Sequence, residues 1–132
     1  MKINRIDHIG IAVKDIKVVT EFYRSVFGCK ISEEMDVPDR KLKIAFTDLS
    51  GVKLEFLMAT DQQSVISKFI EKKGEGIHHI CLEAGDVEKA VSELKEKGVE
   101  LVDQPRIGAE GKKIVFLQPK SLFGVLIELK EK

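Results

Sequence analysis

The chain says the same thing twice, and that repetition limits what it can fold into more than any other feature. Ile6-Asp7-His8-Ile9-Gly10-Ile11-Ala12-Val13, then Asp15 and a helical pattern, recurs as Ile77-His78-His79-Ile80-Cys81-Leu82-Glu83-Ala84, then Asp86 and a second helical pattern. Later in each half, Leu54-Glu55-Phe56 is echoed by Ile127-Glu128-Leu129. Each half, at about 55–60 residues, has too little apolar surface to be more than marginally stable alone. Two such halves sharing one sheet, with helices over its outer face, solve that problem. The 132 residues fit a single domain of this kind, with module one at 1–59, a linker helix within 60–76 and module two at 77–132.

Residues 3–13 alternate imperfectly around Ile3, Ile6, Ile9, Ile11 and Val13, which predicts a partly buried strand. Asp15 is placed to cap a helix carrying Ile16, Val19, Phe22, Tyr23, Val26 and Phe27 at helical spacing, and Gly28 to end it. A strand is expected over 30–35, then a turn or loop over 36–40. Strands follow over 42–48 and 52–58, joined across 49–51. Each module thus reads strand, helix, strand, strand, strand. Module two repeats the order: a strand over 77–83, a helix from Asp86 to Gly98, strands starting at 99–102 and lying at 113–117 and 125–129, and a loop over 104–111. The linker helix is expected over 65–72 with Ile66, Phe69 and Ile70 on its apolar side.

Hydrophobic residues make up 43% of the chain and charged residues 33%, the profile of a soluble globular protein. Lys plus Arg and Asp plus Glu number 22 each, and no segment is strongly basic, so nucleic acid is not an expected partner. Neither a signal-type apolar segment nor a run long enough to span a bilayer is present, and a cytoplasmic location is expected. Cys29 and Cys81 lack metal-like spacing and sit among apolar neighbours, as free buried thiols do.

One His near the start of the first strand and one Glu inside the last, supplied twice, make the donor set of a divalent-metal site: His8, Glu55, His79 and Glu128. Residues two apart in a strand share a face, so His8, Gly10 and Ala12 are expected to line a cavity, with His79, Cys81 and Glu83 as their counterparts. The competing reading has both glutamates at solvated strand positions. Imidazole and carboxylate donors suit Zn, Co, Ni, Mn or Fe. An ion held this way is a Lewis acid that can stabilise charge beside a carbonyl and make the neighbouring carbon acidic. His78 faces away from His79 in a regular strand and is expected, like Asp7 in module one, to have a structural role. Lys120 and Ser121 precede the Glu128 strand, where a substrate phosphate or carboxylate could approach.

Nearly the whole chain resembles the vicinal oxygen chelate superfamily and, within it, the methylmalonyl-CoA epimerases. The resemblance rests on Asp7-His8-Ile9-Gly10-Ile11-Ala12-Val13, on Ser67-Lys68-Phe69 followed by Gly74-Glu75-Gly76-Ile77-His78-His79-Ile80, and on Pro119-Lys120-Ser121 before Gly124-Val125-Leu126-Ile127-Glu128-Leu129. It implies an α+β fold: two paired βαβββ modules forming a curved mixed sheet around a metal-binding cavity. It also implies one divalent ion per chain, cobalt foremost with zinc, nickel or manganese as alternatives, held by His8, Glu55, His79 and Glu128. The implied reaction moves the C2 proton of methylmalonyl-CoA, as in propionate metabolism, with Glu128 as ligand and acid/base group. An acyl-CoA thioester substrate and a homodimer are implied with it.

Where some members carry a second acid/base glutamate this chain has Ile44, and Gln118 replaces a common His. A scheme using both family carboxylates is therefore not expected here: either Glu128 works with a metal-bound water, or another group such as Lys43 or His78 is the second partner. The nearest rival activity is a glyoxalase I-type lyase acting on a glutathione hemithioacetal. An extradiol dioxygenase is disfavoured by Glu55, and a metal-free small-molecule-binding module is the non-enzymatic alternative.

Overall fold

Asp15 and Gly28 bracket the first helix as their side chains require. The Asp15 carboxylate accepts from the N–H groups of Lys17 and Val18, while Gly28, at φ +67°, donates its N–H to the carbonyls of Arg24 and Tyr23. The left-handed conformation suits a residue without a Cβ. Ser64 and Asp86 cap the other two helices in the same way, accepting from Ile66 N–H and Lys89 N–H.

The computed structural model describes all of residues 1–132. The elements run β1 (Arg5–Ala12), α1 (Ile16–Phe27), β2 (Met35–Val37), β3 (Leu42–Leu49), β4 (Val52–Ala59), α2 (Val65–Lys73), β5 (Gly76–Gly85), α3 (Val87–Glu96), β6 (Arg106–Ile107), β7 (Lys113–Leu117) and β8 (Ile127–Glu131), with short 3-10 turns at Pro38–Arg40 and Pro119–Ser121. Chain order is thus βαβββ twice, with α2 between the repeats. The chain forms two compact units, one of Ile9–His78 and one of Met1–His8 with His79–Lys132.

In the Ile9–His78 unit the strand order is β2-β3-β4-β1. β3 and β4 are antiparallel, with Ile44 opposite Leu57, Ala45 opposite Phe56 and Phe46 opposite Glu55. Their turn uses Ser50 at φ +57° and Gly51 at φ +98°, the paired left-handed residues of a tight hairpin. Strand alternation separates two faces. Ala45 and Phe56 pack with Val13 and Ile16 beneath α1, while Leu42, Ile44 and Leu57 pack with Ala12 and Ile66 beneath α2. Glu55 shares the second face, because it lies two residues from Leu57.

In the other unit the order is β1-β5-β8-β7-β6, with β5 and β8 parallel and β8–β7 and β7–β6 antiparallel. Leu129, Val115 and Leu117 point to one side and pack against Val87, Ala90 and Val91 of α3. Leu129 and Val87 are wholly buried, and such side chains each contribute about 1.5–3 kcal/mol through burial.

Three expected strands differ from those observed. Of the strand expected over 30–35 only Met35 is in a strand, β2, which runs on through Asp36 and Val37 where a turn was expected. Ser32 meets Phe46 through one backbone bond, N–H to Phe46 O, while Phe46 N–H goes to the Ser32 hydroxyl. Residues 99–102 form no strand. They follow β7 through Val102 N–H to Phe116 O, Gln118 N–H to Glu100 O and one bridge, Leu101 to Leu117. β6 falls instead inside the stretch expected to be loop. The closing strand begins at Ile127 rather than 125 and runs on to Glu131, because its pairing with β5 extends through Glu83 and Gly85.

Candidate metal centre

The register of the second unit decides which side chains can converge. Cys81 of β5 and Phe116 of β7 both lie opposite Glu128 of β8. Strand parity therefore places His79, Cys81, Phe116, Glu128 and Lys130 on one face, opposite the face covered by α3. The His79 ring meets the Phe116 ring edge-on, with centroids 5.3 Å apart. β1 delivers His8 from the same unit.

Within this unit the sequence-expected ligands His8, His79 and Glu128 meet. His8 Nε2 lies 3.1 Å from His79 Nε2, and each of these nitrogens lies 3.1 Å from Glu128 Oε1. All three residues are buried, at 4–6% exposure. His8 Nδ1–H donates to Asp7 Oδ2 at 2.8 Å; the carboxylate, an acceptor only, assigns that proton to Nδ1. Neutral His8 then directs a lone pair from Nε2 toward the other two atoms. A buried triangle of two imidazole nitrogens and a carboxylate oxygen needs a cation, either a proton or a metal, to satisfy it. Bonds of about 2.0–2.2 Å to ligands at right angles put donor atoms about 3 Å apart, so the observed spacing fits a transition-metal ion. The donor chemistry fits the same ions.

A charge network reaching from buried Asp7 and Lys130 to exposed Arg5 and Glu110 backs this triangle. Lys130 Nζ donates to Asp7 Oδ2 at 3.1 Å and also to Glu110 Oε2, and Arg5 Nη1 lies 3.3 Å from Asp7 Oδ1. The bond from His8 and the nearby Lys130 hold the Asp7 carboxyl well below the usual range, against the opposing effect of burial. Burial raises the Glu128 carboxyl, but the two imidazoles beside it, His79 and His8, outweigh that effect and hold it well below the usual range. Lys130 and Glu110 were missed in the sequence. The readable signal was Lys130 itself, a lysine two residues beyond Glu128 on the same strand face.

The remaining expected residues have these places. Glu55 is half-buried on β4 of the Ile9–His78 unit. Lys120 and Ser121 lie on the 3-10 turn, where both engage Glu100: Lys120 Nζ pairs with its carboxylate at 3.0 Å and Ser121 Oγ accepts its N–H at 3.2 Å. His78 meets the Phe69 ring of α2 edge-on, with centroids 4.9 Å apart. Ile44 is 5% exposed within the aliphatic cluster beneath α2. Lys43 points to the other face of β3, with Nζ 3.6 Å from Glu34 and 4.0 Å from Asp36.

Two expectations need correction. Ala12 leaves no open room, since it is fully buried against Leu42, Ile44, Leu57 and Ile66. Cys81 is buried, but not only among apolar atoms: its sulfur and the ligand atoms of Asp7 and His8 lie within 4.8 Å of one another. No helix is long and apolar enough to cross a membrane.

Comparison with known proteins defines the class. The chain belongs to the Glyoxalase/Bleomycin resistance protein/Dioxygenase superfamily, whose profile matches residues 7–116, and within it to the methylmalonyl-CoA epimerase family of enzymes. It is 38% identical to the mitochondrial methylmalonyl-CoA epimerase of Mus musculus, over 98% of this chain and 74% of that protein. It is also 38% identical to the ethylmalonyl-CoA/methylmalonyl-CoA epimerase of Cereibacter sphaeroides, over 98% of both chains. A variant of Streptomyces coelicolor methylmalonyl-CoA epimerase, solved in complex with 2-nitronate-propionyl-CoA, superposes with a TM-score of 0.91 at 36% identity over 99% of each chain.

Proposed function

We propose that this chain is a metal-dependent epimerase acting at C2 of methylmalonyl-CoA. The observation that carries the reading is the buried triangle of His8 Nε2, His79 Nε2 and Glu128 Oε1, each pair 3.1 Å apart, in a chain related to acyl-CoA epimerases over its whole length. His8, His79 and Glu128 hold one divalent ion, and Glu55, the counterpart of Glu128 in the sequence repeat, is the fourth ligand. Cobalt is the first candidate, with zinc, nickel and manganese as alternatives. Such an ion supplies Lewis acidity, stabilising negative charge on the substrate carbonyl. Glu128 is the acid/base carboxylate that exchanges the C2 proton. Ile44 offers no ionisable group, so no second carboxylate acts from that position. Lys120 and Ser121 are weaker substrate contacts, and the enzyme acts as a cytoplasmic homodimer.

The deciding experiment follows exchange of the C2 proton of methylmalonyl-CoA in deuterated water by NMR, beside turnover of a glutathione hemithioacetal. Metal-loaded protein should exchange the C2 proton and leave the hemithioacetal untouched, and chelation should stop exchange. Absence of exchange by metal-loaded protein rejects the epimerase reading. Hemithioacetal turnover in its place selects the lyase. Equal exchange by stripped protein rejects metal dependence.

A further inference from the structure

Lys130 is an unusual strand residue: a lysine at 6% exposure whose ammonium lies between two carboxylates from different parts of the unit. One is Asp7 of β1, 3.1 Å away, and the other is Glu110, in the loop between β6 and β7. That loop is closed on itself, with Gly111 N–H donating to Gly108 O at 3.0 Å and Gly108 N–H to Lys112 O at 2.8 Å. It is also packed close, since a Cβ on Gly108 would stand 3.1 Å from the Ile114 side chain. Asp7 Oδ2, the oxygen that receives the lysine, is the same atom that accepts His8 Nδ1–H at 2.8 Å. A continuous line of charge-assisted bonds thus runs from the loop to the face of His8 turned away from the ligand triangle.

We infer that Lys130 is a positioning residue for His8, and that Glu110 links the docked 108–111 loop to the metal-binding imidazole through it. This rests on the metal reading of the His8–His79–Glu128 triangle. Lys130 holds Oδ2 of Asp7 where it must lie to keep the proton on His8 Nδ1 and the lone pair on Nε2. Without the ammonium, the Asp7 carboxylate is drawn toward Arg5, which already lies 3.3 Å from its other oxygen, and its hold on the ring loosens. Glu110 in turn orients the lysine, whose flexible stem would otherwise sample many rotamers. Partners behind a ligating histidine typically govern 10–100-fold in metal affinity.

The test titrates zinc into chelator-stripped protein by calorimetry and follows the His8 Nδ1–H resonance of the zinc-loaded form by NMR. Lys130→Met should bind zinc about 10–100-fold more weakly, with the Nδ1–H resonance shifted and exchanging faster with water. Lys130→Arg should restore most of the affinity. Glu110→Gln, at an exposed loop position, should weaken binding by a smaller factor than Lys130→Met and speed amide exchange over 108–111. Wild-type affinity and an unchanged Nδ1–H resonance in Lys130→Met overturn the inference. If that variant does not fold, the same result in Glu110→Gln overturns it. Wild-type protein that takes up no zinc refutes the metal reading and this inference together, whereas normal uptake by wild type and variants alike refutes only the latter.

Discussion

His8 Nδ1 donates to Asp7 Oδ2 across 2.8 Å between adjacent residues of one strand. This local bond orients a ring whose other nitrogen faces His79 and Glu128. Replacing the carboxylate by an amide removes the charge and lets an N–H group compete for the ring. Asp7→Asn should therefore weaken divalent-metal retention about 10–100-fold, measured by competition with a chromogenic chelator. Unchanged retention would show that the ring is held by other contacts.

Glu128 has two roles in the proposed chemistry, so its isosteric replacement should affect both. Glu128→Gln removes the anionic donor and the proton acceptor together. C2 proton exchange should fall by about 10²–10⁴-fold, and metal content after dialysis should drop. Wild-type turnover by the variant would mean that another group moves the proton.

Cys81 and Cys29 should differ sharply in reactivity. Burial pushes the Cys81 thiol up to about 12, whereas Cys29 is only half-buried. The thiolate is the nucleophile, so raising its pKa suppresses reaction at every pH well below that value. At pH 8 a disulfide-exchange reagent should label one thiol per native chain and two in denaturant. Rapid labelling of Cys81 in the native protein would contradict its placement.

Ile44 occupies the place where some relatives were expected to carry a glutamate, yet here it packs beneath α2 with Leu42, Leu57 and Ile66. Ile44→Glu should not create a second acid/base group. A carboxylate among aliphatic side chains should cost about 3 kcal/mol or more, read as a lowered urea midpoint. A stable variant with faster C2 exchange would refute this account of the position.

Much of the fold was legible because local chemistry decided it. Asp15, Asp86 and Ser64 cap helices, Gly28 takes a left-handed turn, and apolar residues recur at helical spacing, all properties of short segments. The strands that were misplaced lacked such local causes. Residues 30–34 and 99–102 run beside other strands, but what bonds they make depends on partners far away in the chain. The boundaries of β8 likewise follow from where β5 lies.

By itself the sequence determined the two-fold repeat, the α+β element order and the identity of His8, Glu55, His79 and Glu128 as candidate ligands, because residue type and period are local properties. Only the tertiary structure decided that His8, His79 and Glu128 bring their donor atoms within 3.1 Å of one another. It alone placed Ala12 and Ile44 in packed aliphatic surroundings and put Lys130 between Asp7 and Glu110. The physical reason is register. One residue of slip in a strand moves every side chain to the opposite face, and register is set by pairing between segments far apart in the chain, as where Cys81 of β5 lies opposite Glu128 of β8.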